Sequence, residues 1–359
     1  MNGSRIAFFG LDRQYTDLRE HLLWVTNDVL STGGVMEGPR SAELEQWLQD
    51  RTGYQHAVLC HSGTQALEII ARFFYQRLSV WNDQQRRVLI PDFTYPATAN
   101  AWINAGWQIQ LVDVTHNGLM QLIDLPKADA ICWVGLYGAP LPDYRWPRGS
   151  FLVEDGAQHW LTHDPRDLWR SANMAISFDP TKNLGAYGNG GAIVSDDRDL
   201  AYFARNWVSN GRTSHWDRVG SNSRMSEMDC AQLLVKTQYI DQWQRRRTKI
   251  AEFWVKKFQT KNIRCLTDPV ASPTHCLNKF VIETLDRDRL RQCLYDAGID
   301  TRCHYDYALH ELGAYCHYPN PGALSKSAVL SRQVLSLPIY PELTDSEVEF
   351  ISEQVLAHV

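Results

Sequence analysis

Across roughly its first 245 residues the chain alternates short apolar runs with stretches whose apolar residues recur at helical spacing, and this alternation limits the fold more than any other feature. "HAVLC" reads as a strand and "TQALEIIARFFYQRL" as the helix that follows it. "RVLIPD" is a strand, "ATANAWINAG" a short helix ending at Gly106, and "QIQLVDV" a strand again. "ADAICWVGLYG" and "SFLVED" supply two more. Short strands alternating with helices predict an α/β protein with a mostly parallel sheet covered on both faces. In such sheets function collects at the C-terminal ends of the strands.

From about Asp241 the texture changes. "DQWQRRRTKIAEFWVKKF" is a long charged amphipathic helix, "NKFVIET" is strand-like, and "DRDRLRQCLYDAGI" is helical with a glycine stop. The final "TDSEVEFISEQVLAHV" opens with a capping box, Thr344 at the N-cap and Glu347 three residues on. We therefore expect a large domain over 1–245 and a smaller C-terminal α/β domain over 246–359. A chain of 359 residues can bury a substantial core without disulfides or metals.

The net charge of -5 argues against a nucleic-acid or anionic-membrane role, since either favours a basic surface. The eight cysteines show no CxxC pair and no zinc-type spacing, so we expect reduced, buried thiols and no metal site. The start "MNGSRIAFFGLDRQYTDL" carries early charges and no apolar h-region, so no signal peptide is expected, and no apolar run approaches membrane-spanning length. The expectation is a cytoplasmic protein. The 13 tryptophans are expected in the core.

Three stretches carry possible chemistry. In "AVLCHSGTQALEII" a strand ends, Ser62-Gly63-Thr64 turn the chain, and a helix begins. The first amides of a helix lack internal partners and favour an anion, commonly a phosphate. Gly63 allows close backbone approach, although such a turn is often no more than an N-cap. In "SFLVEDGAQHW" Asp155 stands where a buried strand ends, a costly place for a carboxylate unless a cation meets it. Gln158 follows three residues later. In "SFDPTKNLGAYGNGGAIVSDD" Lys182 lies between a short strand and a glycine-rich turn, with Ser177 five residues earlier. A lysine on a loop is ordinarily a solvated charge, but one that is desolvated becomes a nucleophile toward carbonyls. The glycines match neither a Walker loop nor a dinucleotide fingerprint.

Together these pieces supply what pyridoxal 5′-phosphate requires: a phosphate cradle, a carboxylate that keeps the ring nitrogen protonated, and a lysine for the aldehyde. On these residues, and on "GGVMEGPRSAELEQWL", "PDFTYPATANA", "GSNSRMSEMDCAQL", "WQRRRTKIAEFW" and "VLSLPIYPELTDSEV", the chain resembles the DegT/DnrJ/EryC1/StrS sugar aminotransferases of fold type I nearly from end to end. The resemblance implies that Lys182 is the Schiff-base lysine, that Asp155 pairs with the pyridinium nitrogen and that Gln158 lies near the ring hydroxyl. It implies that Tyr95 stacks on the ring face and that Gly63, Thr64 and Ser177 contact the phosphate. Asn222, with Arg224 nearby, would reach the phosphate of a neighbouring subunit, which implies a homodimer with shared sites. The implied reaction carries an amino group from glutamate or glutamine to a keto sugar, on a nucleotide in the typical case.

Three positions depart from the family pattern. Asp179 stands where many members have histidine, Asn189 replaces the acid of a Gly-Glu-Gly-Gly run, and Gly135 replaces the histidine of an "HLYG" block. All are expected on the substrate side. One family branch has histidine in place of the lysine and dehydrates its substrate; Lys182 argues against that branch. The alternatives are a pyridoxal-phosphate sugar dehydratase or eliminase, and a non-enzymatic cofactor-sensing regulator. His304 and His310 of "HYDYALHE" are candidates for the substrate mouth.

Overall fold

The apolar runs of the first part become the strands of one sheet. In the computed structural model, which describes residues 5–79, 85–162, 170–322 and 325–359, these are β1 (His56–Cys60), β2 (Arg87–Pro91), β3 (Gln108–Val112), β4 (Ala130–Val134), β5 (Phe151–Asp155), β6 (Asn173–Ser177) and β7 (Gly191–Ser195). Their order across the sheet is β1-β7-β6-β5-β4-β2-β3. β7 runs antiparallel to both its neighbours, and the pairs from β6 through to β3 are parallel. The mostly parallel α/β expectation is therefore correct.

Side chains alternate across a strand with a period of two, so each strand feeds two cores. Val58 and Cys60 pack on one face with α3 (Gly63–Ser79), α4 (Pro96–Asn104) and α5 (Arg198–Val208). Ala57 and Leu59 pack on the other with α1 (Leu11–Thr32), α2 (Pro39–Thr52) and α6 (Glu227–Thr237). Glu227, in the first turn of α6, accepts from the amides of Arg40 (2.8 Å) and Ser41 (2.9 Å), which seals the N-terminus of α2 with a buried carboxylate.

Helix α7 (Ile240–Gln259) spans two cores. Its Ile240 and Trp243 pack below the large sheet, while Ile250, Trp254 and Phe258 pack against a three-stranded sheet ordered β10-β9-β8. That sheet comprises β8 (Arg264–Cys265), β9 (Phe280–Glu283) and β10 (Val334–Leu337), paired antiparallel. Helices α8 (Arg287–Asp296) and α10 (Asp345–His358) share its core with Ile6, and α9 (Lys326–Gln333) leads into β10. We keep the division at 245/246 as our proposal; it falls between the two apolar clusters of α7.

Two expectations about burial are corrected. Trp102, Trp133 and Trp254 are wholly buried, but Trp24 is 64% and Trp216 70% exposed. Of the cysteines, Cys60, Cys132, Cys230 and Cys276 are buried, whereas Cys316 lies on the surface. Among the described residues no helix is long and apolar enough to cross a membrane.

The capping box forms as the spacing predicts. Thr344 Oγ1 accepts from the Glu347 amide, and the Glu347 carboxylate accepts from the Thr344 amide. The same carboxylate holds Arg13 of α1 through two bonds of 2.6 and 2.7 Å. The Arg13 hydrogen bond, against some desolvation, lowers the Glu347 pKa from 4.5 to about 2. A carboxyl whose folded pKa is depressed contributes stability above its unfolded pKa and loses it as pH falls toward the folded value. Glu347→Gln should therefore cost about 1 kcal/mol at pH 7, discounted for partial solvent screening. The deficit should shrink as pH falls from 4.5 to about 2. Denaturant melts of both proteins across that range check it.

Candidate active site

The strand ends converge on a cavity of about 440 Å³ that contains seven of the eight predicted site residues. The loop from β1 into α3 forms one wall. Ser62 Oγ accepts from the Gln65 amide at 3.2 Å, so Ser62 is an N-cap as well as a cavity residue. A Cβ at Gly63 would stand 2.7 Å from Ser177 Cβ and 3.2 Å from its Cα. Only glycine lets the start of α3 meet the end of β6 this closely. Gly191 makes the matching contact from β7, where a Cβ would fall 2.6 Å from the Gly63 nitrogen. The outcome is a concave cradle of helix amides and hydroxyls from Ser62, Thr64 and Ser177.

Asp155 ends β5 with its side chain buried. One carboxylate oxygen accepts from Thr98 Oγ1 at 2.8 Å and the other from the Ala157 amide at 3.2 Å. Thr98 is within 3.1 Å of Thr94, so the first turn of α4 fixes the acid's orientation. Gln158 is held equally well: Oε1 accepts from the Tyr137 amide at 2.8 Å and Nε2 donates to the Tyr305 hydroxyl at 3.1 Å. Tyr95, at the N-cap of α4, is 59% exposed and leans toward Tyr305 with ring centroids 5.9 Å apart.

Lys182 sits on a heavily tied loop. Its amide donates to Asp179 O, the Ala186 amide to Phe178 O, and the Phe178 amide to Gly190 O. Asn183 Nδ2 donates to Cys276 O at 2.6 Å, and the buried Lys236 of α6 donates to Gly185 O at 2.6 Å. The Lys182 amine makes no hydrogen bond to any described residue and faces the cavity. Desolvation lowers its pKa, while the charges of Asp179 and Asp155 oppose the shift. Burial therefore disfavours the charged form of an amine that faces the cavity.

Asn222 is the exception. It lies outside the cavity, in a bridge to Ser209, and accepts from Arg224 at 3.2 Å. Arg224 in turn pairs with Glu37 at 2.9 Å. The departures divide in the same way. Asp179 and Asn189 line the cavity, and Asp179 is turned onto the Thr181 amide and hydroxyl. Gly135 does not line it: a Cβ there would lie 2.2 Å from His159 Cγ. The His159 ring, bonded to the buried Glu154 at 2.8 Å, takes the space that a side chain at 135 would need. His304 lines the cavity, but His310 is clasped to the buried Asp92 at 2.6 Å and serves structure.

Sequence reading missed Thr98, Tyr305 and Lys279, all cavity residues. Lys279 had a signal: a charge inside the apolar run "CLNKFVIE". Among the described residues no group of three histidines, cysteines or acids is placed to hold a metal ion.

The model of the DegT/DnrJ/EryC1/StrS aminotransferase family matches residues 17–356. The chain is 32% identical over 358 residues to the erythromycin biosynthesis sensory transduction protein EryC1 of Saccharopolyspora erythraea, covering 94% of this chain and 95% of that one. It is 32% identical over 361 residues to the dTDP-3-amino-3,4,6-trideoxy-alpha-D-glucose transaminase of Streptomyces venezuelae, covering 94% and 92%. Among solved structures, S. venezuelae DesV in complex with a ketimine intermediate superposes with a TM-score of 0.88 at 28% identity, covering 98% of each chain.

Proposed function

The chain belongs to the DegT/DnrJ/EryC1/StrS aminotransferase family, and on that premise we propose that it carries an amino group from glutamate or glutamine to a keto sugar linked to a nucleotide. The observation that supports this best is the meeting, in one cavity, of a lysine amine without an acceptor, a buried and doubly bonded carboxylate, and a cradle kept open by Gly63.

The family implies pyridoxal phosphate, and these residues fit it. Ser62, Gly63, Thr64 and Ser177 would hold the phosphate, Asp155 the ring nitrogen, Gln158 the side of the ring hydroxyl and Tyr95 the ring face, with Lys182 at the aldehyde. When bound, the cofactor supplies a carbon that accepts an amine and a ring that takes up an electron pair. Asp155, fixed by Thr98 and the Ala157 amide, would meet the ring nitrogen with its carboxyl group already oriented. Lys182 Nζ takes a proton from the α-carbon of the donor and later delivers one to the sugar carbon that gains nitrogen. The tied loop keeps the amine within reach of both positions.

We further propose a homodimer in which Asn222 reaches the partner's phosphate site, since it stands outside the cavity of its own chain.

Keto nucleotide sugars incubated with the holoenzyme should be aminated only when glutamate or glutamine is present. Conversion of the sugar at equal rate without a donor would establish elimination in place of transfer.

A further inference from the structure

The mechanism uses one lysine of the cavity and leaves a second without a task. Lys279 stands just ahead of β9, on the small sheet, and lines the same cavity as Lys182. It is 5% exposed. Its ammonium donates only two long hydrogen bonds, to Thr181 O and Asn278 O, each 3.3 Å. An ammonium has three donors, and the third meets no oxygen or nitrogen acceptor among the described residues; its other neighbour is the Phe9 ring, whose centroid lies 5.3 Å from Nζ. Among the described residues no carboxylate lies within ion-pair distance of it.

The surroundings of Lys279 make a charge there expensive. Burial comes first, and the cations Lys182 and Arg247 add to it; together they push the Lys279 pKa well below its usual value, with Asp179 and Cys276 opposing more weakly. His304, also facing the cavity, has its pKa lowered by burial and then by Lys279. A packing role is better met by a methionine or leucine of similar length, because a buried cation without a counter-ion opposes folding. The cost is recovered once an anion enters beside it. The cradle at the start of α3 is built from other elements and serves a phosphate through amides and hydroxyls. A single ammonium, a compact point charge, suits a carboxylate.

We propose that Lys279 is a specificity-determining residue that binds a carboxylate on one of the two substrates. It rests on the amino-transfer reading above and deepens it: the anionic group belongs either to the amino-acid donor or to an acidic sugar acceptor.

Two probes that cannot donate an amine separate the sources. The holoenzyme is titrated calorimetrically with glutarate, which mimics the donor, and with glucuronate, which mimics an acidic acceptor. Lys279→Met should weaken binding of one of them roughly ten- to a hundredfold, the value of a hydrogen bond to a charged group. Lys279→Arg, which keeps the charge, should recover part of it, and thermal melts establish that both variants fold. The KM for the corresponding substrate should rise with little change in kcat. Dependence on Lys279 for glutarate assigns the carboxylate to the donor, and dependence for glucuronate assigns it to the acceptor. If neither probe binds, or if folded Lys279→Met binds both as the parent does, the proposal fails. Lys279-dependent binding in a protein that transfers no amine would overturn the functional reading and leave the carboxylate site standing.

Discussion

Replacing Lys182 by alanine should lower kcat by about 10³- to 10⁴-fold, the upper part of the range contributed by a positioned acid–base group. That is roughly 4–5.5 kcal/mol of barrier. The structure explains why no neighbour takes over. Lys279 reaches the cavity from the small sheet with its ammonium turned to Thr181 O and Asn278 O, and Lys236 is committed to Gly185 O. His304 holds Ser336 through Nδ1 at 2.8 Å. Arginine at 182 should not rescue, because its guanidinium stays protonated. A second readout does not need turnover. Borohydride reduction of the holoenzyme followed by peptide mapping should place the label on Lys182. Label on Lys279 or Lys236 would overturn the assignment.

Asp155→Asn should lower kcat by about 10²- to 10³-fold, as loss of one preorganised electrostatic contact does elsewhere. Cofactor content should stay near stoichiometric, because the cradle of Ser62, Gly63, Thr64 and Ser177 is untouched. Asparagine has almost the same shape and can still accept from Thr98, so the fold should survive. What is lost is the negative charge. Wild-type turnover in the asparagine protein would refute the role assigned to Asp155. Loss of the cofactor with turnover per bound cofactor unchanged would show that Asp155 binds the cofactor without activating it.

Much of this was legible in the chain because it is local. Strand ends and turn residues are written in consecutive positions, so "HSGT", "VED" and "PTKNLG" announce their places at the C-terminal ends of β1 and β5 and just beyond β6. The capping box at Thr344 is equally local. What could not be read depends on contacts between distant segments. The partner of Asp155, Thr98, lies 57 residues away on α4, and Tyr305 meets Gln158 across 147 residues. Gly135 looked like a lost substrate contact, and only packing shows that His159 occupies its space. His310 and His304 lie six residues apart in one sequence block, yet one holds Asp92 and the other faces the cavity. No spacing rule separates them, because the intervening chain is irregular.

The ties on the Lys182 loop decide how the amine can travel. Bonds from Asn183 and Lys236 tie the chain after position 182 to the turn ahead of β9 and to α6, and the Phe178 backbone before it is bonded to Gly190 and Ala186. These ties would hold the α-carbon as a pivot, and in the proposed role of Lys182 the four-carbon stem would be a swinging arm whose arc sets the reach of proton delivery. Lengthening or shortening that arm by one methylene should alter the reach while leaving the ties of the loop in place.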